Sequence, residues 1–165
     1  MPISKTTGIA VAVVVGAALI LGGYWLYRQG APEVCRVCQR PIHAEARAVI
    51  ESGGKREAVC CVRCGLFLQR QQHIPVRLVE VTDYKSGRPL RPEDAYYVEG
   101  SRVVMCGRHE PVLDETKHAF NRVFDRCVPS ILAFASQQDA EAFAGTHGGA
   151  VLRLPQIVEE VRAAP

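Results

Sequence analysis

Hydrophobic and polar positions divide the chain into an unbroken apolar run and a longer region of short alternating segments. From Gly8 to Tyr27 nearly every residue is apolar. That is about twenty positions, which at helical rise matches the roughly 30 Å hydrocarbon core of a bilayer. Tyr24, Trp25 and Tyr27 sit near one end, as interfacial aromatics do. A signal peptide is the competing reading, but its apolar core is shorter and Tyr24 to Pro32 makes a poor cleavage site. Residues 1–28 are therefore expected to be an uncleaved anchor helix and 29–34 a Gly/Pro linker.

Beyond the linker the pattern shortens. Ala46 to Ile50 and Lys55 to Cys60 are strand-like runs around Ser52-Gly53-Gly54, a hairpin signal. Gly65 to Gln72 contains helix formers and meets no breaker before Pro75. Val76 to Val81 alternates as a strand, and Tyr96–Val98 with Arg102–Met105, split by Glu99-Gly100-Ser101, predicts a second hairpin. Asp114 to Phe124 is a candidate short helix, and Ile131–Phe134 a strand. Ser136 is an N-cap for a helix over 137–146 that Gly148-Gly149 stops. Val151–Leu154 is a further strand, and a short helix ends by Val161. The fold class is α+β.

The chain has 165 residues and a net charge of +3 from 20 basic and 17 acidic residues. The basic residues form no stripe with aromatics between them, so no nucleic-acid partner is expected. Seven cysteines, an odd number, cannot all pair within one chain, and five of them fall between Cys35 and Cys64.

These five carry the chemistry. Cys35-Arg-Val-Cys38 and Cys61-Val-Arg-Cys64 are two Cys-x-x-Cys knuckles, whose spacing lets both sulfurs of each face one ion. The expected cage is Cys35, Cys38, Cys61 and Cys64, with Cys60 as alternate ligand because it fits within one residue of the same spacing. Four thiolates select a soft or borderline cation. Zinc is the default, with Cu(I) or an iron–sulfur centre behind it. Knuckle, hairpin, knuckle and short helix over 35–75 look like a treble-clef finger, and more narrowly like TRASH-type metal-binding modules.

A second candidate copper site combines Cys106, His109 and Cys127, with Met105 adjacent. A Cys106–Cys127 disulfide is the alternative, and it requires Cα atoms within about 7 Å. His43, His73, His118 and His147 stand alone and read as ordinary surface or core residues. No Ser/His/Asp set, phosphate loop or paired acids point to an enzyme. Thiol redox chemistry at Cys61 and Cys64 is the best enzymatic guess.

From Val81 onward the residues resemble the NosL family, copper-binding accessory proteins of nitrous oxide reductase maturation. The motifs are Thr82-Asp83-Tyr84 with Ser86-Gly87, Ala95-Tyr-Tyr-Val98 with Gly100-Ser101, and Ala133-Phe-Ala-Ser136 leading into Asp139–Ala144 and His147-Gly-Gly149. By position Cys38 matches the cysteine of that family's Cys-Gly-Met segment, with Gln39 and Arg40 in place of Gly-Met. Cys127-Val128-Pro129 stands where Met-Gly-Pro would be. The resemblance implies an antiparallel sheet with one or two helices over 76–165 and Cu(I) as cargo. It also implies a client metalloprotein or respiratory complex as partner, and a periplasmic domain on a single-pass inner-membrane anchor. The Lys/Arg balance alone leans slightly towards a cytoplasmic domain. The rival expectation is an interaction module whose zinc is purely structural.

Overall fold

A computed structural model describes residues 5–30, 33–73, 75–107, 115–118 and 125–163. The chain divides into two units, Met1–Glu33 and Val34–Pro165.

The first unit contains one helix, α1, Lys5–Gly30, over the apolar run. Val14, Leu19, Ile20, Leu21, Trp25 and Leu26 are each more than half exposed. Among the described residues no helix is long and apolar enough to cross a membrane.

The second unit opens with the first knuckle, followed by a 3-10 turn at Ala44–Ala46. Strands β1 (Ala48–Ser52) and β2 (Lys55–Val59) form the expected hairpin, with Ser52 opposite Lys55. Gly53 and Gly54, at φ 57° and 75°, join them. Both lie in the left-handed region that a two-residue turn matching the strand twist requires. Helix α2 (Val62–Gln72) follows and packs on this hairpin. A Cβ on Gly65 would lie 2.7 Å from the Ile50 Cγ2 atom, so the approach depends on glycine.

Strand β3 (Arg77–Thr82) pairs antiparallel with β1, and β4 (Pro89–Leu90) with β3, giving the order β2-β1-β3-β4. A finger ending at 75 and a separate domain from 76 do not describe this arrangement. Ile50 and Ala48 on β1 share one buried cluster with Leu78 and Val81 on β3. Those buried faces leave the finger no core of its own.

The other sheet has the order β6-β5-β7, from β5 (Tyr96–Glu99), β6 (Ile131–Phe134) and β7 (Ala150–Leu152). The hairpin expected between 96–98 and 102–105 is absent, because β6 and β7 occupy both edges of β5. Residues 102–105 instead form no strand. Ser136 accepts a hydrogen bond from Asp139 N at 3.1 Å, capping α3 (Gln137–His147). Helix α4 (Leu154–Ala163) closes the chain against α2. Of the helix expected over 114–124, only 115–118 are described, as a turn.

Polar contacts at Asp83 and Arg63 help to hold the first sheet and its helix against the second sheet. Buried Asp83 accepts hydrogen bonds from Ala135 N at 3.0 Å and Ser86 N at 3.1 Å, while Tyr84 N donates to Ala133 O. Arg63 on α2 donates to Glu99 on β5 at 2.7 Å, with both side chains about nine-tenths buried. Removing one member of such a pair leaves a desolvated charge, which costs about 3–5 kcal/mol. Arg63→Met should therefore lower unfolding free energy by about that amount in urea titration. A change below about 1 kcal/mol would show that water already reaches the pair.

Candidate metal centre

The first knuckle is built by a tight backbone turn. Cys35 N donates to Arg40 O at 2.8 Å, and Gln39 N to Cys35 O at 2.8 Å. Gln39 takes φ 61° to make this turn, a conformation costing about 1 kcal/mol outside glycine. Its side chain donates to Arg36 O at 3.0 Å, fixing the turn from outside.

The second knuckle lies where β2 gives way to α2. Cys60 lies at the bend that follows β2, whereas Cys61 is the helix N-cap, and its sulfur accepts from Cys64 N at 3.4 Å. The two adjacent cysteines thus serve different sides of one centre. The positive end of α2 faces the Cys61 sulfur, which favours its thiolate form.

Sulfur positions resolve which thiols meet. Cys35, Cys38, Cys60 and Cys64 form one group, and Cys60, Cys61, Cys106 and Cys127 another, with ligand atoms within each group no more than 4.8 Å apart. Cys60 therefore takes the place expected for Cys61 beside Cys35, Cys38 and Cys64, and Cys61 turns to the second group. Cys106 and Cys127 share the second group, both as free thiols. His109 lies outside the described residues.

The spacing suits a thiophilic ion. Cys38 and Cys60 sulfurs are 3.4 Å apart, Cys35 and Cys64 3.7 Å, Cys60 and Cys127 3.7 Å, and Cys60 and Cys61 3.9 Å. Four thiolates about 2.3 Å from a tetrahedral ion define edges of about 3.8 Å. Every cysteine but Cys38 is buried. The donor set contains no hard oxygen ligand, so it fits zinc or Cu(I) rather than calcium or magnesium.

Three residues outside the two sulfur groups hold the distant segments in place. Arg40 donates to the Cys106 carbonyl and to Asp125 at 2.9 Å. Asp125 in turn accepts from Cys127 N at 2.9 Å, and Arg126 donates to Val37 O at 2.9 Å. These bonds fasten the 106 and 125–127 stretches to the first knuckle. No local motif marks them, because the partners of Arg40 and Arg126 lie more than sixty positions away.

Crowding of the sulfurs also divides their acidities. Hydrogen bonding from Cys106 holds Cys61 down to about 6 and pushes Cys127 well below the usual thiol range. Hydrogen bonding from Cys60 lowers Cys35. Cys60 itself, donating chiefly to Cys106 and Cys127, is held up. Cys64 and Cys106 are raised chiefly through Cys127, and Cys38 by burial. Some sulfurs are thus stabilised as thiolates by protons on their neighbours, which an ion would replace.

No family model and no curated protein matches the chain. Among solved structures, the copper chaperone NosL from Shewanella denitrificans is similar, with a TM-score of 0.51 and 17% identity over 75% of this chain and 88% of that one. The chain has a NosL-like fold. At that identity the likeness concerns architecture, and the NosL-like α+β framework is what presents the sulfurs described above.

Burial makes a reactivity prediction. In the reduced, metal-loaded protein, iodoacetamide should label Cys38 at least about tenfold faster than any other cysteine, because burial limits access to the rest. Peptide mass mapping at short times checks this. Equal labelling of Cys106 or Cys127 would mean that the 106 and 125–127 stretches leave the cluster readily.

Proposed function

We propose that the protein is a membrane-tethered metal-binding protein that holds a thiophilic ion and passes it to a client, as a metallochaperone or metalloenzyme assembly factor does. The observation that carries this reading is the convergence of seven cysteine sulfurs, in two groups of four sharing Cys60, on a NosL-like framework. The similar solved protein is a copper chaperone, which supports the same class of cargo here.

In this reading Cys35, Cys38, Cys60 and Cys64 hold zinc as a resident ion. Cys61, Cys106 and Cys127, with His109 near Cys106 in sequence, receive Cu(I). Thiolates suit Cu(I) because both are soft, and low coordination number lets an incoming client thiolate displace one ligand at a time. The protein then acts by ligand exchange and not as an enzyme. Its client is a metalloprotein or respiratory complex.

The exposed apolar side chains of α1 support the tether. A helix apolar on all sides is accounted for by lipid around it, and anchoring raises local concentration near membrane-bound clients. The proposed setting is a single-pass inner-membrane protein with its sulfur centre in the periplasm. A second reading has a specific observation behind it: burial of every cysteine except Cys38 favours a closed structural zinc within an interaction module.

Two experiments test these readings. Full-length protein in detergent should bind one Cu(I) in competition with a chelator, and Cys106→Ala with Cys127→Ala should weaken that binding at least about a hundredfold while zinc content stays constant. Unchanged copper affinity in the double variant would remove these residues as cargo ligands. Separately, the protein should remain in membranes after alkaline carbonate washing, whereas a chain lacking residues 1–30 should not. Release of the full chain by carbonate would exclude a spanning helix.

A further inference from the structure

The two sulfur groups are not side by side but joined. Cys60 has close sulfur neighbours on both sides: Cys38 at 3.4 Å in one group, Cys127 at 3.7 Å and Cys61 at 3.9 Å in the other. A neutral thiol has one proton to donate, so at most one of these three contacts is a hydrogen bond given by Cys60 itself. A thiolate has lone pairs enough to coordinate two ions at once. Two independent four-thiolate sites would need eight sulfurs, and the chain has seven. Two tetrahedra sharing one vertex need seven, and the groups share one residue.

We propose that the seven cysteines form a single dinuclear metal–thiolate centre in which Cys60 bridges the two ions. This inference rests on the metal-binding reading above and deepens it. Cys35, Cys38 and Cys64 complete one tetrahedron, and Cys61, Cys106 and Cys127 the other. On loading, each ion takes the place of thiol protons, which leave to solvent, so metal–sulfur bonds form as sulfur–hydrogen bonds break.

The surroundings suit an anionic cluster. The N-terminus of α2 faces the second knuckle, and Cys64 N donates to the Cys61 sulfur at 3.4 Å. Arg40 binds the Cys106 carbonyl, and Arg126 binds the Val37 carbonyl within the first knuckle. Backbone dipole and guanidinium groups therefore offset part of the excess thiolate charge.

A shared ligand couples the two positions. With both ions present, the Cys60 sulfur divides its donation between them. When the ion held by Cys61, Cys106 and Cys127 departs, Cys60 strengthens its bond to the ion that stays. Departure is thereby eased without the finger losing its own ion, which suits a centre that is resident on one side and exchangeable on the other.

Cobalt(II) tests this directly, using the reduced full-length chain in detergent under anaerobic titration. Thiolate-to-cobalt absorption should grow to two equivalents. The paramagnetic resonance signal should rise with the first equivalent and fall with the second, because a bridging sulfur couples the two spins antiferromagnetically. Cys60→Ala should abolish this fall. Cys106→Ala, outside the first group, should saturate at one cobalt with the signal unquenched, which provides a test even where the bridge variant does not fold. Two cobalt ions with additive signals would mean independent sites, and saturation at one in the unmodified chain would mean that the second group takes no ion. Either overturns the bridge while leaving metal binding intact. Absence of any thiolate-to-cobalt absorption would overturn both.

Discussion

Close packing of sulfur around Cys60 is the constraint on which the second unit depends. Four separate stretches, at 35–38, 60–64, 106 and 127, bring their cysteines into overlapping groups no wider than 4.8 Å. Weak S–H hydrogen bonds alone are a poor reason for such convergence. A bound zinc contributes about 10–16 kcal/mol of apparent free energy, comparable with the whole stability of a typical domain, about 5–15 kcal/mol. An ion bound in the proposed centre would therefore be enough to hold these stretches together.

The rest of the architecture is arranged to present that centre. The β1–β2 hairpin returns the second knuckle to the first, and α2 turns its N-terminus towards the sulfurs. Arg40, Asp125 and Arg126 fasten the distant cysteines. Arg63 and Glu99 tie α2 to the second sheet. Because β1 pairs with β3 as well as β2, disturbance of the centre passes into the NosL-like sheet instead of stopping at a domain boundary. Cys38 is the one part-exposed thiol of the seven.

What the sequence made legible was local. Knuckle spacing, Gly53-Gly54 and the Ser136 cap each depend on neighbours within a few residues, and the structure contains the hairpin and helices they imply. Cys60 and Cys61 could not be separated by spacing, because their roles follow from a change of direction between strand and helix. The expected hairpin over 96–105 failed for a related reason: β5 finds its partners at 131–134 and 150–152, and alternation does not reveal which segment pairs with which. The finger and the following region looked separable because a metal-ligand motif suggests a self-contained unit, whereas the continuity of β1 with β3 is a tertiary fact. Cys106 and Cys127 were candidates by residue type, open between a copper site and a disulfide. Their link through Cys60 to the finger was not readable.

Native mass spectrometry of the full-length protein, purified anaerobically and released from detergent, tests the metal–thiolate account most directly. The folded chain should carry two metal ions, its mass reduced by the protons that the thiolates have lost, with no disulfide mass defect. A folded, metal-free chain with seven protonated thiols, or one with cysteines paired as disulfides, would contradict it.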